Sequence, residues 1–532
     1  MLTFLSLLAC PKNVSTEVAA DAPGRCGLQD DGSRTFVVLH VNDVYRISGH
    51  GDRGGLARVR TLRTQLEAEC GGPVLLTHGG DVLFPSALSR AFDGRQKVEV
   101  LNLLDGDADS DDDYMIAVPG NHDFDRSQMK DAALLGNLFG RSGFHWVASN
   151  VRWVPAAKIA GVSERLVLDV NGVQVGVFGL TTDMKKPAYA LIEGDYLASA
   201  AAQTVAVRAD GAEVVLALTH LEAEADAELL RHQDKGPDLV LGGQVHEAET
   251  AKVDGRYVLK AQADAMEARV AWITLAPDGG VSVEHSSVAL DVSVAEDPAV
   301  AAASQAWWTA YELAVCEDDW GCLDRVIGTA GTELVGTETA LRRGETALGN
   351  AVADGLRAST GADVALINAG ALRLNHDLAQ GEAITRRTIE ELIAYDEPVR
   401  VIEISGARLA EVLNHSVTGW PGHGRWLQTS GLSFRHVDGQ ATEVHILTNE
   451  GPVALDPAAT YRVVVISWLV DPKIGDQDGY GQEGHGALNM GDIVEDGVML
   501  KDAVSQGLSG QVLAVVEGRV CQDDGPCLVP TP

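Results

Sequence analysis

Positive charge is what this chain most lacks. Lys and Arg number 41 against 76 Asp and Glu, a formal net charge of −35 over 532 residues. That field repels phosphate backbones and argues against a nucleic-acid polymer as partner. It suits a protein that stays soluble outside the cell. A small anionic substrate would then need local positive charge from metal ions or arginines. Aromatic residues make up only 5%. No internal apolar run reaches the ~18 residues that span a bilayer, and no repeat or low-complexity block occurs. With 45% hydrophobic residues, the chain is globular but too long for one core, so two large domains are expected.

Cysteine is sparse, at 7 residues. Cys10 ends an apolar run in Leu7-Leu8-Ala9-Cys10, which is similar to a bacterial lipobox, although no Lys or Arg precedes the run. A Ser/Thr/Ala-rich tether follows over 14–23. Residues 1–33 thus read as a lipoprotein-type signal and tether, with membrane attachment through a lipid on Cys10. Cell-envelope, periplasmic or extracellular localisation follows. Setting Cys10 aside leaves an even number. Cys316 and Cys322 share a spacing with Cys521 and Cys527, each pair able to close a small loop. That leaves Cys26 with Cys70, and no histidine beside them suggests zinc.

The informative pattern is an apolar strand that stops at a polar tip. The run 114–119 gives way to Gly120-Asn121-His122-Asp123-Phe124-Asp125. Residues 35–41 end at Asn42-Asp43-Val44-Tyr45, and 74–77 at His78-Gly79-Gly80-Asp81. Residues 214–218 end at Thr219-His220, and 238–241 at Gly242-Gly243-Gln244-Val245-His246. In α/β folds the C-terminal strand edge is where sites assemble, because loops converge there. Amide, imidazole and carboxylate are the ligand and acid–base set of a divalent-metal hydrolase.

Helices are expected over 54–69, 98–104, 348–359, 388–395 and 407–417, and further strands over 146–150, 173–180, 362–367, 399–404, 431–436, 442–447 and 461–466. The acidic run 105–113 reads as a solvated loop. Asp297-Pro298 starts a helix, with Asp as cap and Pro in the first turn. It runs through Trp307-Trp308 to Val315, and its tryptophans are expected to pack between domains.

In order and spacing these tips resemble the calcineurin-like metallophosphoesterases. Leu348-Gly349-Asn350, Asn368-x-x-x-x-Arg373 and Asp478-Gly479-Tyr480 narrow the resemblance to the 5′-nucleotidase family. The fold class so implied is α/β (α+β). A metallophosphoesterase β-sandwich flanked by helices (34–295) would be joined by a helix and loop (296–327) to a smaller α/β substrate-binding domain (328–520), followed by a tail (521–532). The resemblance implies two divalent ions (Zn, Mn, Mg or Ca) bridged by Asp81. Asp43 and His246 match ligands of one ion, and Asn121 and His220 ligands of the other. His122 and Asp125 match a catalytic pair.

Two positions depart from the pattern, because Tyr45 and Gln244 stand where the family usually has histidine. Both remain candidate ligands. Tyrosine and amide oxygen bind more weakly than imidazole, which would shift preference from zinc towards harder ions. In the second domain Asn368, Arg373, Asp478 and Arg343 match nucleotide-contacting positions, the last with Arg342 as a neighbouring choice. Tyr395 and Trp468 fall where the family stacks a base between two rings, worth about 1–3 kcal/mol per base. The activity implied is metal-dependent phosphate release from nucleoside 5′-phosphates or related nucleotides. The sequence also leaves open a nucleotide-binding surface protein with a degraded metal centre, or a phosphoesterase for cyclic nucleotides or UDP-sugars.

Overall fold

The computed structural model describes residues 24–107, 110–231, 236–317, 319–470, 480 and 491–522. Cys10, Asp478 and Cys527 lie outside them. The first domain is a sandwich of two sheets. One runs in spatial order 281–289, 267–275, 34–41, 75–78, 115–117, 145–147, 162–163; the other runs 249–253, 256–260, 239–242, 214–220, 173–181, 165–170. The strands that carry polar tips are parallel neighbours in each sheet, so their C-terminal ends lie along one edge.

Strand Arg34–Val41 shows why the layers form. Phe36 and Val38 join Val175, Val177, Leu216 and Leu241 in the core between the sheets. Val37, Leu39 and Val41 point the other way, into a core shared with helices Leu56–Cys70 and Pro298–Val315. A strand covered on both faces reads as a continuous apolar run, as this one does. The outer face of the second sheet is closed by Tyr196–Ala209 and Ala223–Arg231.

Helix Pro298–Val315 starts as expected, with the Asp297 carboxylate accepting from the backbone of Ala299 and Val300. It touches both domains. The Trp308 indole donates to Ser48 Oγ at 2.9 Å, and the Tyr311 hydroxyl donates to Glu390 at 2.7 Å. Disulfides join Cys26 to Cys70 and Cys316 to Cys322. Cys521 is also disulfide-bonded.

The second domain centres on a five-stranded sheet in the order 427–430, 364–368, 460–466, 398–405, 492–499. Helices Ala347–Thr360, Gly406–Val417 and Leu500–Gly507 bury their apolar faces on it. Helix Arg386–Leu392 ends before Tyr395, which therefore stands in the following loop. The acidic run is not wholly solvated. Asp112 is buried and accepts from Arg63 Nη2 at 2.9 Å, so one carboxylate of the run is a core ion-pair partner.

Candidate metal centre and substrate cleft

Five strand tips meet at one edge of the sandwich. Asp43, Asp81 and His220 are almost wholly excluded from solvent, and Asn121 is buried beside them. Asp43, Asp81 and His246 take left-handed backbone angles, φ 52°, 53° and 60°. That conformation costs a non-glycine residue about 1–2 kcal/mol and persists where the surroundings over-determine it. Glycines make the close approach possible. A Cβ on Gly120 would lie 2.1 Å from Asp81 Oδ1, and one on Gly243 would lie 2.1 Å from the Gly79 carbonyl oxygen.

Within this frame the side chains converge. His220 Nε2 lies 3.1 Å from Asn121 Oδ1 and 3.4 Å from Asp81 Oδ1, while its Nδ1 meets the Gly79 carbonyl at 2.7 Å. His246 Nε2 lies 3.3 Å from Asp43 Oδ1. Asp43, Asp81 and His246 each offer one ligand atom, and these lie within 4.8 Å of one another. The donor set fits a divalent cation, because the leading counter-charges to these two buried carboxylates, among the described residues, are protonatable imidazoles. Burial opposes charge on His220, but Asp81 and Asp43 outweigh it and push its pKa up to about 9. For His246 burial is likewise outweighed, by Glu338 and Asp43, to about 10.

Tyr45 enters the centre as a hydroxyl. It donates to Asp81 Oδ2 at 2.8 Å and stands 2.7 Å from His246 Nε2. Burial, with Asp81 and Asp43 nearby, pushes its pKa well above the ordinary phenol value. Gln244 does not join the cluster. Its backbone N–H donates to Asp43 Oδ2 at 2.9 Å, but its amide turns outward to Glu222 at 3.2 Å. At φ 81° the chain carries this side chain away from the cluster, so Gln244 meets Asp43 through its peptide group and not its amide.

His122 stands at the rim. Its backbone N–H donates to Asp81 Oδ1 at 2.9 Å, and its Nδ1 lies 2.9 Å from Asp125 Oδ2. Burial would raise the Asp125 pKa, but His122, Lys185 and Tyr395 hold the carboxyl down at about 2. The Tyr395 hydroxyl reaches across from the second domain to donate to Asp125 Oδ2 at 2.9 Å. Lys185 Nζ lies 3.2 Å from Asp125 Oδ1.

Several partners carry no signal in the sequence pattern. The Asp123 carboxylate accepts from the backbone N–H groups of Gly120, Val82 and Leu83, tying the Asp81 loop to the Asn121 loop. Asp264 accepts from the backbone of Tyr45 and Arg46 at 2.8 and 3.0 Å. Glu338, from the second domain, is buried and places Oε2 2.5 Å from His246 Nδ1. It also pairs with Arg342 and lies 3.6 Å from Arg373.

Helix Glu338–Arg343 sets the two adjacent arginines in different places. Arg342 sits one turn from Glu338 and pairs with its carboxylate, which Arg373 also approaches. Arg343 lies further round the helix and is exposed, with its carbonyl accepting from Trp420 Nε1. Asn368 is buried at the end of strand Val364–Asn368. Tyr395 is 42% exposed, with the Arg90 guanidinium 5.5 Å from its ring centre. Trp468 packs partly buried against the second core, on the short helix Ser467–Val470.

Known proteins share both domains. Residues 36–248 match the model of the calcineurin-like phosphoesterases, and residues 326–477 match that of the 5′-nucleotidase C-terminal domain. The trifunctional nucleotide phosphoesterase protein YfkN of Bacillus subtilis is 24% identical over 92% of this chain, which spans 35% of that protein's length. A 5′-nucleotidase of Vibrio cholerae is 23% identical, over 91% of this chain and 94% of the other. A solved structure, a 5′-nucleotidase precursor from Thermus thermophilus, superposes with a TM-score of 0.75 at 24% identity. It covers 92% of this chain and all of that one, a likeness of fold.

Proposed function

The chain belongs to the 5′-nucleotidase family, a calcineurin-like phosphoesterase domain followed by a 5′-nucleotidase C-terminal domain, and on that premise we propose that it releases phosphate from nucleoside 5′-phosphates. The enzyme is a 5′-nucleotidase-like phosphoesterase hydrolase, and its family uses divalent metals and nucleotide phosphoesters. The proposal extends to two ions and to the roles below. The observation that carries it is the convergence of Asp43, Asp81 and His246 beside the His122–Asp125 pair.

Asp43 and His246 would hold one ion, Asn121 and His220 the other, with Asp81 shared between them. Bound there, divalent ions supply Lewis acidity and a water of lowered pKa. His122 faces the phosphoryl group as a donor, and Asp125 fixes its ring through Nδ1. Arg342 and Arg373 offer planar guanidinium forks for phosphate oxygens. Tyr395 presents an aromatic face to the base and, through its hydroxyl, ties that face to Asp125. Trp468 is the second stacking candidate.

The same reading puts the protein outside the cytoplasm, held by a lipid on Cys10. The disulfides Cys26–Cys70 and Cys316–Cys322 support an oxidising compartment. Among the described residues no helix is long and apolar enough to cross a membrane.

The test is a phosphate-release screen on purified protein with added Mn²⁺ or Zn²⁺, using AMP, UDP-glucose and bis-p-nitrophenyl phosphate. Release from AMP, reduced about 10²–10⁴-fold in His122→Ala, is the expected result. Metal-loaded protein that binds AMP but releases no phosphate would replace the enzyme by a nucleotide-binding protein.

A further inference from the structure

A wholly buried ammonium stands behind the metal centre. Lys260 ends strand Arg256–Lys260, beside Gly242 in the sheet. Its side chain is closed off from solvent, as is that of Asp226. Lys260 Nζ donates to the Leu221 carbonyl at 2.7 Å and to the Gly243 carbonyl at 2.6 Å, and it pairs with Asp226 Oδ2 at 2.5 Å. An ammonium has three N–H donors, and these three partners match that number.

The two carbonyls are the informative partners. Leu221 directly follows His220, and Gly243 opens the loop that leads to His246. Both lie past the last paired residues of strands Val214–His220 and Leu239–Gly242. A buried carbonyl without a donor is costly, so this end of the sheet needs a donor from a side chain. The space is fitted to it. A Cβ on Gly242 would lie 2.6 Å from Asp226 Oδ2 and 2.9 Å from Lys260 Nζ. Asp226 comes from helix Ala223–Arg231, which begins just after Leu221, so the counter-charge sits on the loop being held. Stability alone does not call for this pair, because apolar side chains of the same volume are often as stabilising as a buried ion pair. An apolar pair could not grip two carbonyls.

We propose that Lys260 is a positioning residue for the metal centre. Its ammonium ties the loop after His220 to the loop before His246. It thereby sets the spacing between a ligand of one proposed ion and a ligand of the other. The inference rests on the reading of these two histidines as ligands. A protonated amine has no lone pair for a metal, so Lys260 acts through the backbone it holds. Groups that orient metal ligands in this way typically change affinity about 10–100-fold when removed.

The test uses the full chain, stripped with chelator and titrated with Co²⁺, and none of its readouts is phosphate release. Lys260→Met combined with Asp226→Asn removes both charges and keeps the bulk, so no buried charge is left alone. This variant is expected to keep a metal-free Tm close to that of the parent, to bind Co²⁺ about 10–100-fold more weakly, and to show an altered visible Co²⁺ spectrum. Lys260→Gln keeps one amide donor and should fall between the two; it carries the test by itself should the double variant fail to fold. A variant with the parent's Co²⁺ affinity and spectrum, whatever its Tm, would make the ammonium a stability element only and overturn the proposal. A parent that takes up no Co²⁺ would instead overturn the metal-centre reading, and this inference with it.

Discussion

The Glu338 carboxylate sits 2.5 Å from Nδ1 of His246, so a residue of the second domain orients a candidate metal ligand of the first. A carboxylate behind a metal-bound histidine fixes the ring and raises its basicity. Glu338→Gln keeps the size and removes the charge. Divalent-metal affinity is expected to fall about 10–100-fold, read by metal titration of the stripped protein. An unchanged affinity would mean that Glu338 serves only Arg342 and Arg373.

Tyr395 is expected to have two separable roles. Tyr395→Phe removes the hydroxyl donated to Asp125 but keeps the ring. A hydrogen bond to a charged group is worth about 1.5–3 kcal/mol, so kcat should fall roughly 13- to 160-fold with KM nearly unchanged. Tyr395→Ala also removes the stacking face, and KM should rise about 5- to 150-fold. Steady-state kinetics with AMP separates the two. A KM rise in both variants would place the hydroxyl, not the ring, on the substrate.

Tyr45 stands where an imidazole would serve a metal better. Its hydroxyl already lies 2.8 Å from Asp81 Oδ2 and 2.7 Å from His246 Nε2. Tyr45→His substitutes a borderline nitrogen donor for a protonated phenol. Zinc affinity is expected to rise about tenfold or more, and preference for Zn²⁺ over Mn²⁺ to sharpen. Competitive metal titration checks this, and no change would mean that the residue points away once an ion is bound.

Metal uptake should depend on pH with a definite sign. Without an ion, His220 and His246 hold protons up to about 9 and about 10 because Asp81, Asp43 and Glu338 outweigh the effect of burial. A cation must displace those protons. Apparent affinity should therefore rise with pH, by up to tenfold per unit per histidine, and flatten above about pH 10. Calorimetry in buffers of different ionisation enthalpy counts the released protons. Uptake without proton release would contradict the pairing of these imidazoles with Asp43 and Asp81.

The centre was legible in the sequence where an apolar strand runs straight into its ligand. Asp43, Asp81, Asn121 and His220 each follow or end such a strand, so strand identity alone brings them to one edge. Legibility ended where a turn or a helical phase decides direction. Gln244 has the right spacing, but its positive φ turns the amide outward. Arg342 and Arg343 differ by one position on a helix, and only Arg342 faces Glu338. Glu338, Lys185 and Asp264 were not legible at all, since each acts through contacts between segments far apart in the chain. Strand Val281–Ala289 was missed for another reason. One of its faces is polar and open to solvent, so it shows no apolar run.

The most direct measurement is phosphate release from AMP by metal-loaded protein, comparing the parent with Asp81→Asn. This substitution keeps the shape of the residue shared by both proposed ion sites and removes its charge. The account predicts steady release by the parent, and a variant that stays folded by circular dichroism, binds less metal and loses at least about 10²-fold in rate. Equal rates in the two proteins would contradict it, because the carboxylate around which the whole centre is arranged would then have no part in the reaction.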